Sequence, residues 1–119
     1  LHPRVRRQRQ MCKETVNKEC LLDAKGGNIT IGKNVGIGYR CQLLTTNHSY
    51  TDKKKRTGKV IASDVTIGDG CWIGAGSIIN PGVTIGDGCV IASGSVVTRD
   101  CISNGLYAGV PAKMIKRLE

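Results

Sequence analysis

An aliphatic residue stands at every sixth position through residues 60–98: Ile61, Ile67, Ile73, Ile79, Ile85, Ile91 and Val97. Upstream, Ile31, Ile37 and Leu43 keep the same count, so ten aliphatics share one phase. Helices repeat at about 3.6 residues and half-buried strands at about 2, so neither explains a strict period of six. The chain is expected to turn every six residues. Two positions before the aliphatics stand small or β-branched residues: Ile29, Val35, Cys41, Val65, Cys71, Ser77, Val83, Cys89 and Ser95. Between the units lie Gly-Asp-Gly at 68–70 and 86–88, Gly-Ala-Gly at 74–76 and Asn-Pro-Gly at 80–82, residues that tolerate or preset turn dihedrals. Each six therefore reads as a short strand and a corner, and three units make a triangular coil. Coils stacked about 4.8 Å apart can pair as parallel strands. The expected fold is an all-β parallel β-helix, stabilised by coil stacking around a thin aliphatic core.

At 119 residues the chain has room for one such domain of about four coils. Only Tyr39, Tyr50, Trp72 and Tyr107 are aromatic and Phe is absent, which suits a core too narrow for rings. Trp72 immediately precedes Ile73, so alternation turns it outward as a candidate ligand platform. With the interruption after residue 46 set aside, Cys41, Cys71 and Cys89 recur at the coil spacing and read as a buried column of reduced thiols. Cys12, Cys20 and Cys101 are left unassigned. No Cys-x-x-Cys pair suggests zinc, and no metal is expected. No apolar signal segment precedes the repeat, which points to a cytoplasmic protein without membrane association. The net charge of +9 gathers at Arg4, Arg6, Arg7 and Arg9, at residues 53–56, and at Lys113, Lys116 and Arg117. These clusters suit either phosphate-bearing partners or plain solvation. Nucleic acid is not expected, because no aromatics interleave with the arginines.

Residues 1–15 read as a basic arm and 16–110 as the β-helix, with a ragged first turn. Ser49 and Lys55 occupy positions where the count demands aliphatics, yet the phase resumes at Ile61. A loop of about two units is thus expected over 47–59, beginning with His48, and such loops on rigid scaffolds commonly carry function. Residues 111–119 are expected to form a short helix, started by Pro111 and packing Met114, Ile115 and Leu118.

Four stretches, TTNH before the loop, GDGCWIGAGSIINPGVTIGDG, GSVVTRD and AGVPAKMIK, together resemble the hexapeptide-repeat acyltransferases, most closely the maltose and galactoside O-acetyltransferase branch. The resemblance runs from about Asn17 to Arg117. It implies a left-handed β-helix, opposite to the usual hand of parallel crossovers, and a homotrimer with active sites between subunits. It also implies acetyl-CoA as co-substrate and direct acetyl transfer to a hydroxyl of a small acceptor such as a saccharide. On this resemblance His48 is the general base, the Ala75 peptide N–H faces the oxyanion, and Asn17 holds the acceptor hydroxyl. The segment from Cys20 to Asp23 is one residue short of the family pattern, so a capping role for Asn17 stands beside that reading. Coenzyme A would run past Trp72, Ala75 and Ser93, with its phosphates near Thr98, Arg99, Lys113 and Lys116.

The front of the chain lacks the family's long helical segment, leaving the acceptor open. Residues 53–56 are either a soluble basic loop or a preference for an acidic acceptor. An N-acyltransferase acting on an amino sugar needs the same histidine, and a non-catalytic trimeric scaffold remains an alternative. A γ-class carbonic anhydrase requires three histidine ligands, whereas this chain has two histidines.

Overall fold

The computed structural model describes the strand Thr15–Val16 and residues 19–119; Asn17, Lys18 and residues 1–14, with the basic arm expected there, lie outside the described residues. The first coil carries β1 (Thr15–Val16) and β2 (Leu21–Asp23). The second carries β3 (Ile29–Ile31), β4 (Gly36–Ile37) and β5 (Gln42–Leu44), followed by a hairpin of β6 (Thr46–His48) and β7 (Val60–Ala62). The third holds β8 (Val65–Ile67), β9 (Trp72–Ile73) and β10 (Ile78–Ile79). The fourth holds β11 (Thr84–Ile85), β12 (Val90–Ile91) and β13 (Val96–Val97), and the end is closed by β14 (Gly105–Gly109) and β15 (Ala112–Arg117).

Three sheets make the walls of the prism. Face A is ordered β1-β4-β9-β12-β14-β15, face B is β2-β5-β10-β13 and face C is β3-β8-β11. Pairing is parallel except between β14 and β15 and within the β6–β7 hairpin. The registers stack identical positions into columns: Ile31–Ile67–Ile85 on face C, Ile37–Ile73–Ile91 on face A and Leu22–Leu43–Ile79–Val97 on face B. Nine of the ten phased aliphatics are buried in this core.

Ile61 is the exception, at 48% exposed in the outer hairpin. Ile29, Gly36 and Gln42 pair with Val65, Trp72 and Ile78, each 36 residues on, rather than the eighteen of an ordinary coil. The extruded segment is therefore one full coil longer than a simple return, not two units. A count modulo six cannot separate these lengths, so Ile61 keeps phase while sitting outside the prism.

The thiols require a second correction. Cys41 stacks with Ser77 and Ser95 at the corner between faces A and B, while Cys71 and Cys89 stack with Val35 at the corner between faces C and A. Both groups share one function. Cys41 Sγ donates to Gly74 O at 3.1 Å, Cys71 Sγ to Gly86 O at 3.1 Å, Cys89 Sγ to Ile102 O at 3.1 Å and Ser77 Oγ to Ala92 O at 3.1 Å. Each of these four side chains bonds a corner carbonyl of the next coil, whereas Ser95 in the last coil turns back to Ala92 O of its own corner at 2.6 Å; either a thiol or a hydroxyl can make this bond, so Cys and Ser interchange there. Cys20 joins the first group, donating to Gly38 O at 3.0 Å, and Cys101 lies buried at the far end.

Corner aspartates link the coils from outside. Asp69 Oδ1 accepts from Lys33 N–H at 2.8 Å, Asp87 Oδ1 from Asp69 N–H at 2.8 Å and Asp100 Oδ1 from Thr84 N–H at 2.8 Å. The Asp of Gly-Asp-Gly thus caps a corner amide that the ladder leaves open.

The tail is a strand rather than a helix. After Gly109, at φ +108°, and a cis Val110–Pro111 bond, the chain reverses and β15 pairs antiparallel with β14. The open edge of β14 offers a ladder that a short isolated helix would forgo. This hairpin closes the core with Tyr107, which follows Ile91 in the face A column and accepts Ile102 N–H on its hydroxyl at 2.8 Å. A ring fits the prism at its end.

Stacking leaves no room where a corner begins, at the first Gly of Gly-Asp-Gly or Gly-Ala-Gly. A Cβ on Gly68 would lie 2.7 Å from Asp87 N and 2.9 Å from Gly86 C. Gly68→Ala is expected to cost about 1–3 kcal/mol, read as a lowered urea midpoint; an unchanged midpoint would show that the coils are not rigidly stacked. Burial raises the Cys41 thiol and pushes Cys71 up to about 11 and Cys101 up to about 12, from 9.0. The native state therefore favours the protonated thiols, and that contribution is whole below pH 9 and lost as pH rises toward 12. The urea midpoint is expected to fall across this window, and less steeply in Cys101→Ser than in the parent.

Candidate active site

Trp72 stands outward from β9, 62% exposed. It pairs with Gly36 on one side and Val90 on the other, and Val90 in turn pairs with Leu106. Because Gly36 has no side chain, one flank of the indole is uncovered. The ring, with Gly74, Val90, Ala92, Ser93 and Leu106, bounds a slot of about 220 Å³ on face A. Gly74 lies directly against Ser93: an added Cβ would come within 2.6 Å of Ser93 N. Ala75 follows Gly74 at this corner, exposed, its carbonyl accepting Gly94 N–H at 2.9 Å.

A second cleft of about 530 Å³ lies at the closed end of the prism. Thr98, Arg99 and Asp100 form one wall, and Pro111, Ala112, Lys113 and Met114 of the terminal hairpin form the other. The strand conformation of the tail sets this wall, pairing Lys113 with Ala108 and Met114 with Tyr107. Asp100 is occupied by the Thr84 amide, while Arg99 and Lys113 are exposed cations. Lys116 pairs with Leu106, beside the column that carries Trp72.

His48 ends β6, exposed, on the hairpin that leaves the prism between β5 of face B and β8 of face C. Its Nδ1 lies 2.9 Å from Gly58 O. A carbonyl only accepts, so Nδ1 carries the proton of the neutral ring and Nε2 presents a lone pair. Asn47 Oδ1 accepts His48 N–H at 2.8 Å, and Ser49 and Gly58 close the hairpin through Ser49 N–H to Lys59 O and Gly58 N–H to Ser49 O, both 2.8 Å. The imidazole is held by its own loop.

Among the described residues, those selected from the sequence thus fall into three groups: Trp72, Ala75, Ser93 and Lys116 along face A and its corner, Thr98, Arg99 and Lys113 around the end cleft, and His48 alone on the hairpin. The prism edge bearing His48 is the one opposite face A, so one chain does not bring its imidazole to its own indole slot. Val90 and Leu106 escaped the sequence reading. Val90 follows Trp72 by one coil and was readable by counting; Leu106 breaks the count. Among the described residues, no three His, Cys, Asp or Glu side chains converge as metal ligands, and no helix is long and apolar enough to cross a membrane.

Residues 59–99 match the family model described as bacterial transferase hexapeptide (six repeats). The chain is 42% identical over 90 residues to galactoside O-acetyltransferase of Escherichia coli, spanning 76% of this chain and 44% of that protein. It superposes on a hexapeptide-repeat-containing acetyltransferase of Vibrio cholerae complexed with acetyl coenzyme A, with TM-score 0.79, 36% identity and coverage of 85% of this chain and 55% of that one. A second structure of the Vibrio cholerae protein gives TM-score 0.73 and 30% identity, covering 90% and 72%. A maltose O-acetyltransferase of Clostridium difficile gives TM-score 0.70 and 36% identity, covering 88% and 66%. The chain spans about half the length of the curated relatives it matches. With repeat, corner chemistry and superposition in agreement, the chain belongs to the hexapeptide-repeat acyltransferase family, and its prism is the left-handed parallel β-helix of that family.

Proposed function

We propose that the protein is an acetyl-CoA-dependent O-acetyltransferase that moves an acetyl group to a saccharide hydroxyl by direct transfer. The observation that carries this reading is the His48 ring, whose Nδ1 is committed to Gly58 O and whose Nε2 is left as a base. The similarity to a galactoside O-acetyltransferase and to a protein crystallised with acetyl coenzyme A supports the substrate classes.

The residues present fit coenzyme A. The indole of Trp72 and the small Gly74 and Ser93 suit a slender pantetheine arm, while Arg99, Lys113 and Lys116 supply cations for phosphates. Bound acetyl-CoA supplies the thioester carbonyl and a thiolate leaving group. Nε2 of His48 takes the acceptor hydroxyl proton as the oxygen attacks, and the Ala75 N–H faces the charge that develops on the carbonyl oxygen. The proton on His48 then neutralises the departing sulfur. Asn17 is assigned to the acceptor hydroxyl.

Because His48 and the indole slot lie on opposite sides of one prism, we infer a homotrimer in which the hairpin of one subunit reaches the face A slot of the next. A cytoplasmic setting accords with free buried thiols and acetyl-CoA supply.

Nitrogen-15 spectra of the neutral His48 ring are expected to show a protonated Nδ1; a protonated Nε2 would remove the base. With acetyl-CoA and a galactoside acceptor, His48→Ala is expected to lower kcat by about 10²–10⁴-fold while coenzyme A affinity, measured by calorimetry, is retained. Full transfer by this variant would sink the mechanism, and absence of coenzyme A binding by the parent would favour a non-catalytic scaffold.

A further inference from the structure

We propose that the tip of the hairpin loop, through Lys53, Lys54 and Lys55, selects an anionic acceptor, a saccharide bearing a carboxylate or phosphate. The inference rests on the acetyl-transfer reading and names its acceptor class.

Between residues 49 and 59 the loop holds Lys53, Lys54, Lys55, Arg56 and Lys59 against a single acid, Asp52. The structure gives these charges different work. Arg56 Nη1 donates to Tyr50 O at 2.8 Å, so its guanidinium clamps the loop. Asp52 Oδ1 accepts Lys54 N–H at 2.9 Å and Asp52 O accepts Lys55 N–H at 3.1 Å, so the one acid shapes the turn. Among the described residues, no acidic side chain forms an ion pair with Lys53, Lys54 or Lys55. Lys53, Lys54 and Lys55 are consecutive and exposed, so three ammonium groups are carried on one short stretch of the tip, where charges closer than a Debye length of about 8 Å act on one another at physiological salt. Their mutual repulsion is relieved when an anion approaches.

The same hairpin orients the imidazole. Gly58, whose carbonyl fixes His48 Nδ1, lies on its returning arm, and the Ser49–Lys59 and Ser49–Gly58 bonds tie that arm to the β6 side. The lysines thus travel with the base, and the base acts on the acceptor. The phosphates of coenzyme A have other cations, Arg99 and Lys113 at the end cleft. Charge at the hairpin tip is accordingly assigned to the acceptor.

Exposed charge contacts are each worth a factor of about 1.4–5, so three together give roughly tenfold discrimination. The test compares kcat/KM for galacturonate and galactose 6-phosphate with that for galactose, at low and high salt. The anionic acceptors are expected to be favoured about tenfold at low salt, with the advantage shrinking in high salt and in the Lys53→Ala, Lys54→Ala, Lys55→Ala triple variant. A ratio near one in the parent, a ratio unchanged by the triple variant, or a rise confined to the acetyl-CoA KM would each overturn the proposal. Amide shifts of residues 52–57 on titrating galacturonate into the coenzyme A-saturated protein provide a readout independent of turnover. Shifts with galacturonate but not galactose, without acetylation, would uphold the anion preference and sink the transferase reading. No shift with galacturonate would sink the preference.

Discussion

Everything in this molecule depends on the distance between coils. Parallel ladders hold neighbouring chain turns at strand spacing, so whatever occupies a corner must fit within that gap. At Gly32, Gly38, Gly68, Gly74 and Gly86 an added Cβ would fall within 3 Å of backbone atoms of the next coil. Glycine is required there for space alone. A second requirement falls later in the corner, where Gly70, Gly76, Gly82, Gly88 and Gly94 adopt positive φ, a conformation that Asn34, Arg40 and Asn104 accept at equivalent sites. The inward Cys and Ser hydroxyl or thiol groups and the outward Asp carboxylates then satisfy corner amides and carbonyls that no strand reaches. Turn, cap and core are three answers to one spacing.

The repeat made the prism legible because every coil applies the same constraint to the same position. Ile67, Ile73, Ile79, Ile85, Ile91 and Val97 lie where counting put them, and Trp72 faces outward as alternation required. Legibility ended where the constraint stopped repeating. Ile61 satisfies the count but lies in a hairpin, because periodicity records phase and not the number of coils passed. Cys41 was grouped with Cys71 for the same reason: one miscounted insertion moves a residue to the next corner. The tail failed differently. Met114, Ile115 and Leu118 have helical spacing, yet the open edge of β14 recruited Met114 and Ile115 into a strand, a tertiary effect that local pattern does not contain. The Asp ladder was also hidden, since Gly-Asp-Gly reads as a turn whether or not its carboxylate bonds the coil beside it.

For the candidate site, the pattern identified which residues face outward, and family resemblance proposed which of those carry chemistry. Neither supplied their arrangement. The outward columns show that Trp72 is flanked by Gly36 and Val90, leaving one side of the ring bare, and that the terminal hairpin builds the far wall of the cationic cleft. The separation of His48 from that slot within one chain is itself informative. On the proposed reading, a base and a cofactor groove on opposite sides of a rigid prism work together only if another copy supplies the missing half, so the rigidity that makes the fold readable would also make assembly part of the site.

The hairpin that carries His48 is free of the stacking constraint for a definable reason. Ser63 N–H bonds Thr45 O at 2.9 Å, so the chain re-enters the prism at the point where it left. The intervening length is consequently uncoupled from coil phase: the insertion need not be a multiple of six for β8 to find β3. That it keeps phase here is not what holds the prism in register. What the hairpin must preserve is internal, namely the pairing of Thr46 with Ala62 and of His48 with Val60, together with the Gly58 carbonyl that sets the tautomer. Beyond those contacts its tip can vary in charge without disturbing a single core column, which makes it the part of the chain best suited to tune what the shared scaffold accepts.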